Sequence, residues 1–251
     1  MVVSATKLTK QSDSDIFYLR LIDLEKGWFA MYGFANKSWA QRLMIIAYEC
    51  VFLVLVYWFL FLGGNEVLHL PEGDFQRRVL LYGFCLIVFL RMSFMVVYLL
   101  KRGITWRETV SVSFAFALYY IGFSLLGGIN DQPLDWIDGI AVFIFLAGSV
   151  INTLSEVLRN QWKKDSRNRG KLYTGGLFRY AIHINYFGDF VWVSGFALLT
   201  RNTWAGLIPI FLFFMFVFFN IPEHDRYLRG KYGRDFEKYE KTAKKFIPYI
   251  Y

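Results

Sequence analysis

Six long apolar runs constrain this chain more than any other feature of its sequence. They cover residues 43–62, 79–100, 110–126, 137–158, 181–200 and 204–221. A helix of about 20 apolar residues is long enough to cross the hydrocarbon core of a bilayer. Of the 251 residues 56% are hydrophobic and only 19% are charged. We therefore predict an all-α integral membrane fold with about six to seven transmembrane helices.

The basic residues are distributed very unevenly between the predicted loops. With six spans, 24 of the 28 lysines and arginines lie on the face that carries both termini, three lie on the opposite face, and Arg91 lies within a span. Lysine and arginine accumulate in cytoplasmic loops, which predicts cytoplasmic termini in a bacterial inner membrane or the endoplasmic reticulum. The net charge of +8 is then explained by topology and contact with membrane lipids, and no nucleic-acid partner is predicted.

We predict a single domain over residues 1–251. Within this domain, residues 1–38 form an N-terminal cytoplasmic or interfacial segment, and residues 150–251 form the cofactor-binding C-terminal part. The tail after Pro222 mixes many charges with aromatic residues, as in a helix that lies at the membrane interface; it either anchors to the surface or helps to close a site. Cys50 and Cys85 both fall in apolar runs, so neither a disulfide nor a metal site is predicted.

Several polar groups interrupt the apolar runs. An ionisable group at membrane depth costs about 2.5–3.5 kcal/mol on insertion scales and usually has a partner or a function. Two of the groups have i, i+4 spacing, which places both side chains on one helix face. The polar groups are Tyr48 with Glu49, Arg91 alone, Asn152 with Glu156, and Asn185 with Tyr186 and Asp189.

A basic loop joins the fourth and fifth runs. Residues 159–180 contain seven lysines and arginines, and Gly175-Gly176 permits a tight turn before the next helix. Guanidinium and ammonium groups bind phosphates, so the loop and the flanking polar groups suit a phosphorylated ligand. The alternative is a loop that is basic for topological reasons only. No Rossmann fingerprint, P-loop or nucleophile-elbow motif is present.

Three strings in the C-terminal third resemble a known family. GGLFRYAIHINYFGD, EHDRYLRGKYG and the final FIPYIY are similar to motifs of the steroid 5α-reductase and sterol C=C reductase superfamily. The resemblance extends over residues 152–251 and more weakly over 91–103. One departure is Ile182-His183-Ile184, where many relatives have Arg-His-Pro, which removes one phosphate contact.

The resemblance implies NADPH bound from the cytoplasmic side without a Rossmann domain, and a hydrophobic steroid-like or other lipid substrate. Asn152 and Glu156 would contact the nicotinamide-ribose end, and Asp189 would hold the amide or an arginine. The remaining cofactor residues that it implies are Lys163, Arg167, Tyr180, Asn185, Glu223, Tyr227 and Arg91.

The same resemblance implies a catalytic acid early in the chain. Hydride addition to an enone needs a donor that stabilises the developing enolate, and desolvation favours the neutral form of a buried carboxyl group. Tyr48-Glu49 is the counterpart of the family's Gln-Glu pair. The family's partner tyrosine in the second span has no clear match, so Tyr98 and Tyr82 are candidate substitutes. Alternatively, Glu49 is only a structural partner of Arg91.

Two other functions stay open on the sequence. An S-adenosylmethionine-dependent methyltransferase of the isoprenylcysteine carboxyl type shares the C-terminal architecture, but its His-Pro-x-Tyr motif and tail Glu-Glu pair are missing here. A lipid-binding or scaffold protein without a cofactor would leave Asn152, Glu156, Asn185 and Asp189 without a role. The favoured prediction is an NADPH-dependent reductase.

Overall fold

The computed structural model describes residues 38–251, so most of the predicted N-terminal segment lies outside the described residues. The chain forms helices connected by loops, with one isolated parallel bridge between Ala181 and Lys244. The helices are α1 (Trp39–Phe61), α2 (Phe75–Leu99), α3 (Trp106–Gly128), α4 (Trp136–Lys164), α5 (Ile184–Leu199), α6 (Thr203–Tyr232) and α7 (Arg234–Glu240), with a one-turn helix at Gly64–Val67.

The all-α membrane fold is confirmed. Five helices, α1, α2, α3, α4 and α6, are long and apolar enough to cross a membrane, and α5 is a shorter apolar helix of 16 residues. Each predicted run therefore corresponds to one helix. The sixth run was expected to end at residue 221, but α6 continues to Tyr232. A π-helical turn over Phe216–Asn220 precedes Pro222, and such a turn lets a helix accommodate a residue that lacks a backbone N–H.

Two further π-helical turns lie in α2 and α3, at Met95–Leu99 and Leu118–Gly122. The second of these turns contains Tyr119 and Tyr120, which are both buried although they are adjacent in sequence. Adjacent residues of a regular helix point about 100° apart. The wider turn thus lies where α3 presents two phenol groups to the interior.

Helices α4 and α5 form the most extensive helix pair of the fold. Their backbones approach closely at three glycines. A Cβ atom on Gly188 would lie 2.5 Å from the backbone nitrogen of Asn152, one on Gly148 would lie 2.2 Å from that of Trp192, and one on Gly195 would lie 2.4 Å from that of Phe145. Small residues allow this kind of packing between membrane helices. The close approach at Gly188 brings Asn152 against the start of α5.

We expect Gly188→Ala to separate α4 from α5 and to lower the free energy of unfolding by about 1–3 kcal/mol, the usual cost of overpacking. Thermal unfolding of the purified protein in detergent measures this change. Gly139→Ala is the matched control, because Gly139 lies in α4, the partner helix of the pair, and a Cβ atom there meets nothing within 4 Å. Equal melting temperatures for the two variants would contradict the role assigned to Gly188.

A buried ion-pair network connects the helix ends on the face opposite the termini. Nη1 of Arg77 donates to Oδ1 of Asp138 at 2.5 Å and to the carbonyl oxygen of Leu199 at 2.6 Å, and both charged side chains are almost fully buried. Arg201 joins Asp138 through Nε at 3.2 Å. Arg77 and Arg78, which the sequence placed in a loop, thus lie at the start of α2 and face the interior. Buried carboxylate and carbonyl groups accept hydrogen bonds from their guanidinium groups.

The C-terminal segment packs on the loop between α4 and α5. The backbone N–H groups of Ile182 and His183 donate to the carbonyl groups of Lys244 and Lys245 at 2.7 and 2.9 Å. Phe236 and Tyr239 of α7 are buried, and the Tyr239 hydroxyl donates to the carbonyl of Phe178. Burial raises the pKa of that phenol above its ordinary value. The two aromatic residues of α7 therefore hold the tail to the protein rather than facing lipid.

Candidate functional site

The centre of the helix bundle contains a group of polar side chains that we call the central polar cluster. Its members come from five helices and lie between apolar layers. They are Glu49 of α1, Arg91 of α2, Tyr120 of α3, Asn152 of α4 and Asp189 of α5.

Glu49 is 1% exposed, in the middle of α1. Its Oε2 atom accepts a hydrogen bond from the Tyr120 hydroxyl at 3.4 Å, and Oε1 is buried without a partner among the described residues. Tyr48 points the other way: it is 42% exposed and stacks on Phe52. The two neighbours of the predicted pair thus face different environments, and only Glu49 enters the cluster.

Arg91 lies beside Glu49 and connects it to the C-terminal helices. Its Nη1 atom is 3.4 Å from Oδ1 of Asn152, and its guanidinium carbon lies 4.8 Å from the centre of the Trp192 ring. Glu49 and Asp189 both act electrostatically on its charge. Its Nε and Nη2 atoms are buried with no partner within residues 38–251. A buried guanidinium with two unused donors is expensive, so it suits a ligand that supplies acceptors.

The i, i+4 pairs of α4 and α5 come together where the two helices pack. The amide group of Asn152 donates to the backbone carbonyl of Asn185 at 3.0 Å, and the indole N–H of Trp192 donates to Oδ1 of Asp189 at 2.8 Å. One turn further along α4, Glu156 pairs with Arg159. Asn152, Asp189 and Glu156 therefore follow one another from the cluster towards the basic loop, and we call this row of side chains the path.

The basic end of this path holds several mutually repelling charges. Lys163 experiences repulsion from Arg159 and Lys231, the last of which lies on α6. Like charges that face one another favour an anionic ligand between them. Arg167 is 86% exposed and pairs with Asp165 at 2.6 Å, and this pairing holds the pKa of the Asp165 carboxyl below its ordinary value.

The other predicted site residues lie around the same end. Tyr180 accepts from Arg179 at 2.7 Å and packs near Tyr249, whereas Tyr227 accepts from Lys231 at 3.0 Å. Glu223 is partly exposed on α6.

Tyr98 lies apart from Glu49. It is 47% exposed and accepts a hydrogen bond from Lys164 at 3.0 Å, at the basic end of α2. The described contacts therefore join Glu49 to Tyr120 of α3, and not to Tyr98 or Tyr82 of α2. Tyr120 is the principal residue that sequence reasoning missed.

A second buried group was also missed. His183 is fully buried, and its Nε2 atom lies 2.8 Å from Oδ1 of Asp225, whose other oxygen accepts from Lys245 at 3.2 Å. The imidazole stacks on Tyr186 with 5.5 Å between ring centres. The polar patch at the start of α5 therefore has two parts: Asn185 and Asp189 face α4, while His183 connects α6 and the tail. Residues 38–251 contain no group of three histidine, cysteine or acidic residues that could hold a metal ion.

Comparison with known proteins identifies relatives of this chain. Residues 90–243 match the family described as "Protein of unknown function (DUF1295)". Among curated proteins, 3-oxo-5-alpha-steroid 4-dehydrogenase 2 of Sus scrofa is 32% identical over 127 residues, 48% of this chain and 47% of the relative. 3-oxo-5-alpha-steroid 4-dehydrogenase 1 of Mus musculus is 29% identical over 192 residues, 71% of this chain and 70% of the relative.

A methyltransferase also appears among the relatives. "Probable O-methyltransferase ustE" of Ustilaginoidea virens is 40% identical over 94 residues, 36% of this chain and 33% of the relative. The chain thus spans about a third to a half of the length of the first curated relatives that it matches. Among solved structures, the eukaryotic intramembrane Ras methyltransferase ICMT aligns with 98% of this chain and 88% of its own, at 18% identity and a TM-score of 0.44.

The family match covers more than half of the chain, and the similar curated proteins include several 3-oxo-5-alpha-steroid 4-dehydrogenases. These relatives agree with the resemblance of the C-terminal motifs. The protein belongs to the DUF1295 family, within the steroid 5α-reductase superfamily of integral membrane proteins.

Proposed function

We propose that this protein is an NADPH-dependent reductase of a C=C bond conjugated to a ketone, in a steroid-like or other hydrophobic lipid. The observation that carries the proposal is the carboxyl group of Glu49, buried at membrane depth beside the Tyr120 hydroxyl with one oxygen atom unused. A hydrophobic substrate can reach such a group from the bilayer. The relatives are named for a 3-oxo steroid, and a 3-oxo group is a ketone.

Glu49 can bind the oxygen atom of an enone, and Tyr120 can position Glu49 for this contact. In its protonated form Glu49 would donate through Oε1, while the Tyr120 hydroxyl fixes the carboxyl orientation through Oε2. A donor aimed at the oxygen atom where negative charge develops lowers the barrier most in a site that excludes water. The apolar side chains around Glu49 provide that exclusion. Glu49 would thus hold the carbonyl group and give its proton to the enolate oxygen, and Tyr120 would act through Glu49 as a positioning residue.

The residues along the path towards the basic face fit the two ends of NADPH. The cofactor, when bound, supplies the hydride. Arg91 has two unused N–H donors for acceptor groups of the ligand, and Asn152 and Asp189 can hold an amide. The repelling cations Arg159, Lys163 and Lys231 would take the phosphates. Glu156, Arg167, Tyr180, Asn185, Glu223 and Tyr227 remain predicted contacts around this path.

The alternative is a membrane methyltransferase that uses S-adenosylmethionine. The similarity to ustE over 94 residues favours it. That cofactor carries no phosphate groups, so it would not use the cations Lys163, Arg159 and Lys231, of which Glu156 balances only part. The central carboxyl group of Glu49 would also have no evident role. We therefore keep the reductase as the proposed function.

We expect NADPH to stabilise the full-length protein in detergent. A ligand at about 100 times its Kd adds about 2.7 kcal/mol to the free energy of unfolding, which a thermal shift measures. NADH should stabilise the protein less, because it lacks the 2′-phosphate. Arg91→Met should abolish the NADPH shift, whereas Lys241→Met, an exposed cation of the tail, should keep it.

The same titration separates the three functions. Stabilisation by S-adenosylmethionine alone would assign the protein to the methyltransferases. No response to any of the three compounds would favour a lipid-binding protein without a cofactor. A reductase is supported further if NADPH is consumed in the presence of hydrophobic enones and not of the corresponding saturated ketones.

A further inference from the structure

A groove lies between the end of α6 and the C-terminal segment, away from the central polar cluster. We call it the C-terminal groove, and its cavity volume is about 290 Å³. One end of its lining is apolar and the other is charged. The lining residues are Val217, Ile221, Pro222, Asp225, Arg226, Arg229, Lys245 and Tyr251.

The position of the groove along α6 places it at the surface of the bilayer. Helix α6 begins at Thr203, and about 20 residues cross the hydrocarbon core, so the core ends near Pro222. Val217 and Ile221 then lie at the depth of the acyl chains. Arg226 and Arg229 lie one to two turns beyond Pro222, at the depth of the headgroups. The lining of the groove therefore changes from apolar to basic over the same depth at which a phospholipid changes from acyl chain to phosphate.

Three basic side chains line the polar end, and one carboxylate accompanies them. Asp225 is committed to His183 and Lys245, and Arg229 donates to Glu240 at 2.7 Å. Arg226 is exposed and forms no ion pair within residues 38–251. The side chains of the groove thus carry an excess of positive charge that the protein does not neutralise there.

The rim of the groove presents large apolar side chains to the outside. Tyr249 is 77% exposed and Ile250 is 74% exposed, next to Tyr251 in the lining. Phe218 on α6 is 62% exposed. Aromatic residues beside cations at the end of a spanning helix are typical of the membrane–water interface. This edge of the protein therefore faces lipid and not bulk water.

We propose that the C-terminal groove binds the phosphate headgroup of an anionic phospholipid. Arg226 contacts the phosphate with Arg229 and Lys245 beside it, and the acyl chains lie along Val217 at the apolar end of the lining and along the exposed Phe218. Basic clusters next to a transmembrane helix bind anionic lipids in this way. The cavity lies at the lower end of the range for drug-sized ligands, about 300–1,000 Å³, so it holds a headgroup but not a dinucleotide. The site does not depend on the proposed reductase activity.

Lipid binding to the delipidated full-length protein tests the proposal. Native mass spectrometry in neutral detergent would measure apparent Kd values for phosphatidylglycerol and phosphatidylcholine. We expect phosphatidylglycerol to bind more tightly, and Arg226→Gln to weaken its binding about fivefold, since one cation near the membrane contributes about that factor. Arg226→Lys should keep most of the affinity. Lys238→Gln, an exposed tail cation outside the groove, should leave it unchanged.

Three results would overturn the proposal. Equal affinity for the two phospholipids would remove the role of charge, and equal loss in the Arg226→Gln and Lys238→Gln variants would remove the site. Displacement of phosphatidylglycerol by millimolar glycerol 3-phosphate as effectively as by lipid would assign the groove to a soluble phosphate. The melting temperature in detergent without added ligand serves as the folding control, because it is expected to be the same in all of these variants.

Discussion

Glu49→Gln is expected to reduce turnover by about 10²–10³-fold while NADPH still stabilises the protein. The substitution keeps the size of the side chain and an acceptor for the Tyr120 hydroxyl, but it removes the proton that the carboxyl group can give to the enolate. The glutamine amide can still donate a hydrogen bond but cannot transfer a proton, and loss of a general acid typically costs about 10²–10⁴-fold. The measurement is NADPH consumption with hydrophobic enones, together with the thermal shift by NADPH.

Two controls make this result specific. Glu66→Gln changes an exposed carboxyl group in the short helix Gly64–Val67 and should leave turnover unchanged. Tyr120→Phe should lower turnover less than Glu49→Gln, because it disorients the acid without removing it. If Glu49→Gln lowers the melting temperature and leaves turnover intact, then Glu49 is a structural partner of Arg91. Loss of the NADPH shift together with turnover would place Glu49 in the cofactor site.

Asp138→Ala is expected to have the largest effect on stability, a loss of about 3–5 kcal/mol in the free energy of unfolding. Asp138 accepts from Arg77 through both oxygen atoms, at 2.5 and 3.3 Å, and Arg77 is fully buried. Removing one partner of a buried ion pair leaves the other charge without compensation, which has a cost of this size. Unfolding by a denaturing detergent, followed by circular dichroism, measures the change.

The origin of this effect can be separated from a general sensitivity of the region. Asp131→Ala changes an exposed carboxylate in the loop before α4 and should cost well under 1 kcal/mol. Replacing both partners, Arg77→Met with Asp138→Leu, should recover part of the stability, because apolar residues can replace a buried ion pair. A double variant as unstable as Asp138→Ala would show that Arg77 is needed for its bonds to the carbonyl groups of Leu199 and Gln132.

The position of the membrane helices was predictable because a bilayer imposes a length and an apolar composition on any segment that crosses it. The i, i+4 spacing also placed Asn152 with Glu156, and Asn185 with Asp189, on single helix faces, although it did not predict that Asn152 contacts the start of α5. Both signals are local. Neither signal requires knowing which helices pack together, apart from the two helices that a single loop connects.

The partners of Glu49 could not be predicted in the same way. Tyr120 lies 71 residues further along the chain, and a π-helical turn sets its direction. Tyr98 matched the expected helix but lies at its basic end, beside Lys164. His183 carried no spacing signal, since its partner Asp225 lies 42 residues away on α6. Contacts of this kind depend on how the helices pack, which hydropathy does not encode.

The sequence by itself determined the membrane class, the approximate helices and the basic face, and its C-terminal motifs pointed to the superfamily. These properties follow from composition and short-range order, because lipid solvates each helix separately from its neighbours. Only the tertiary structure decided that Glu49 and not Tyr48 faces inward, that Tyr120 and Arg91 are its neighbours, and that Arg77 is buried with Asp138. Those choices arise from the side-by-side packing of helices distant in sequence, where each buried polar group needs a partner.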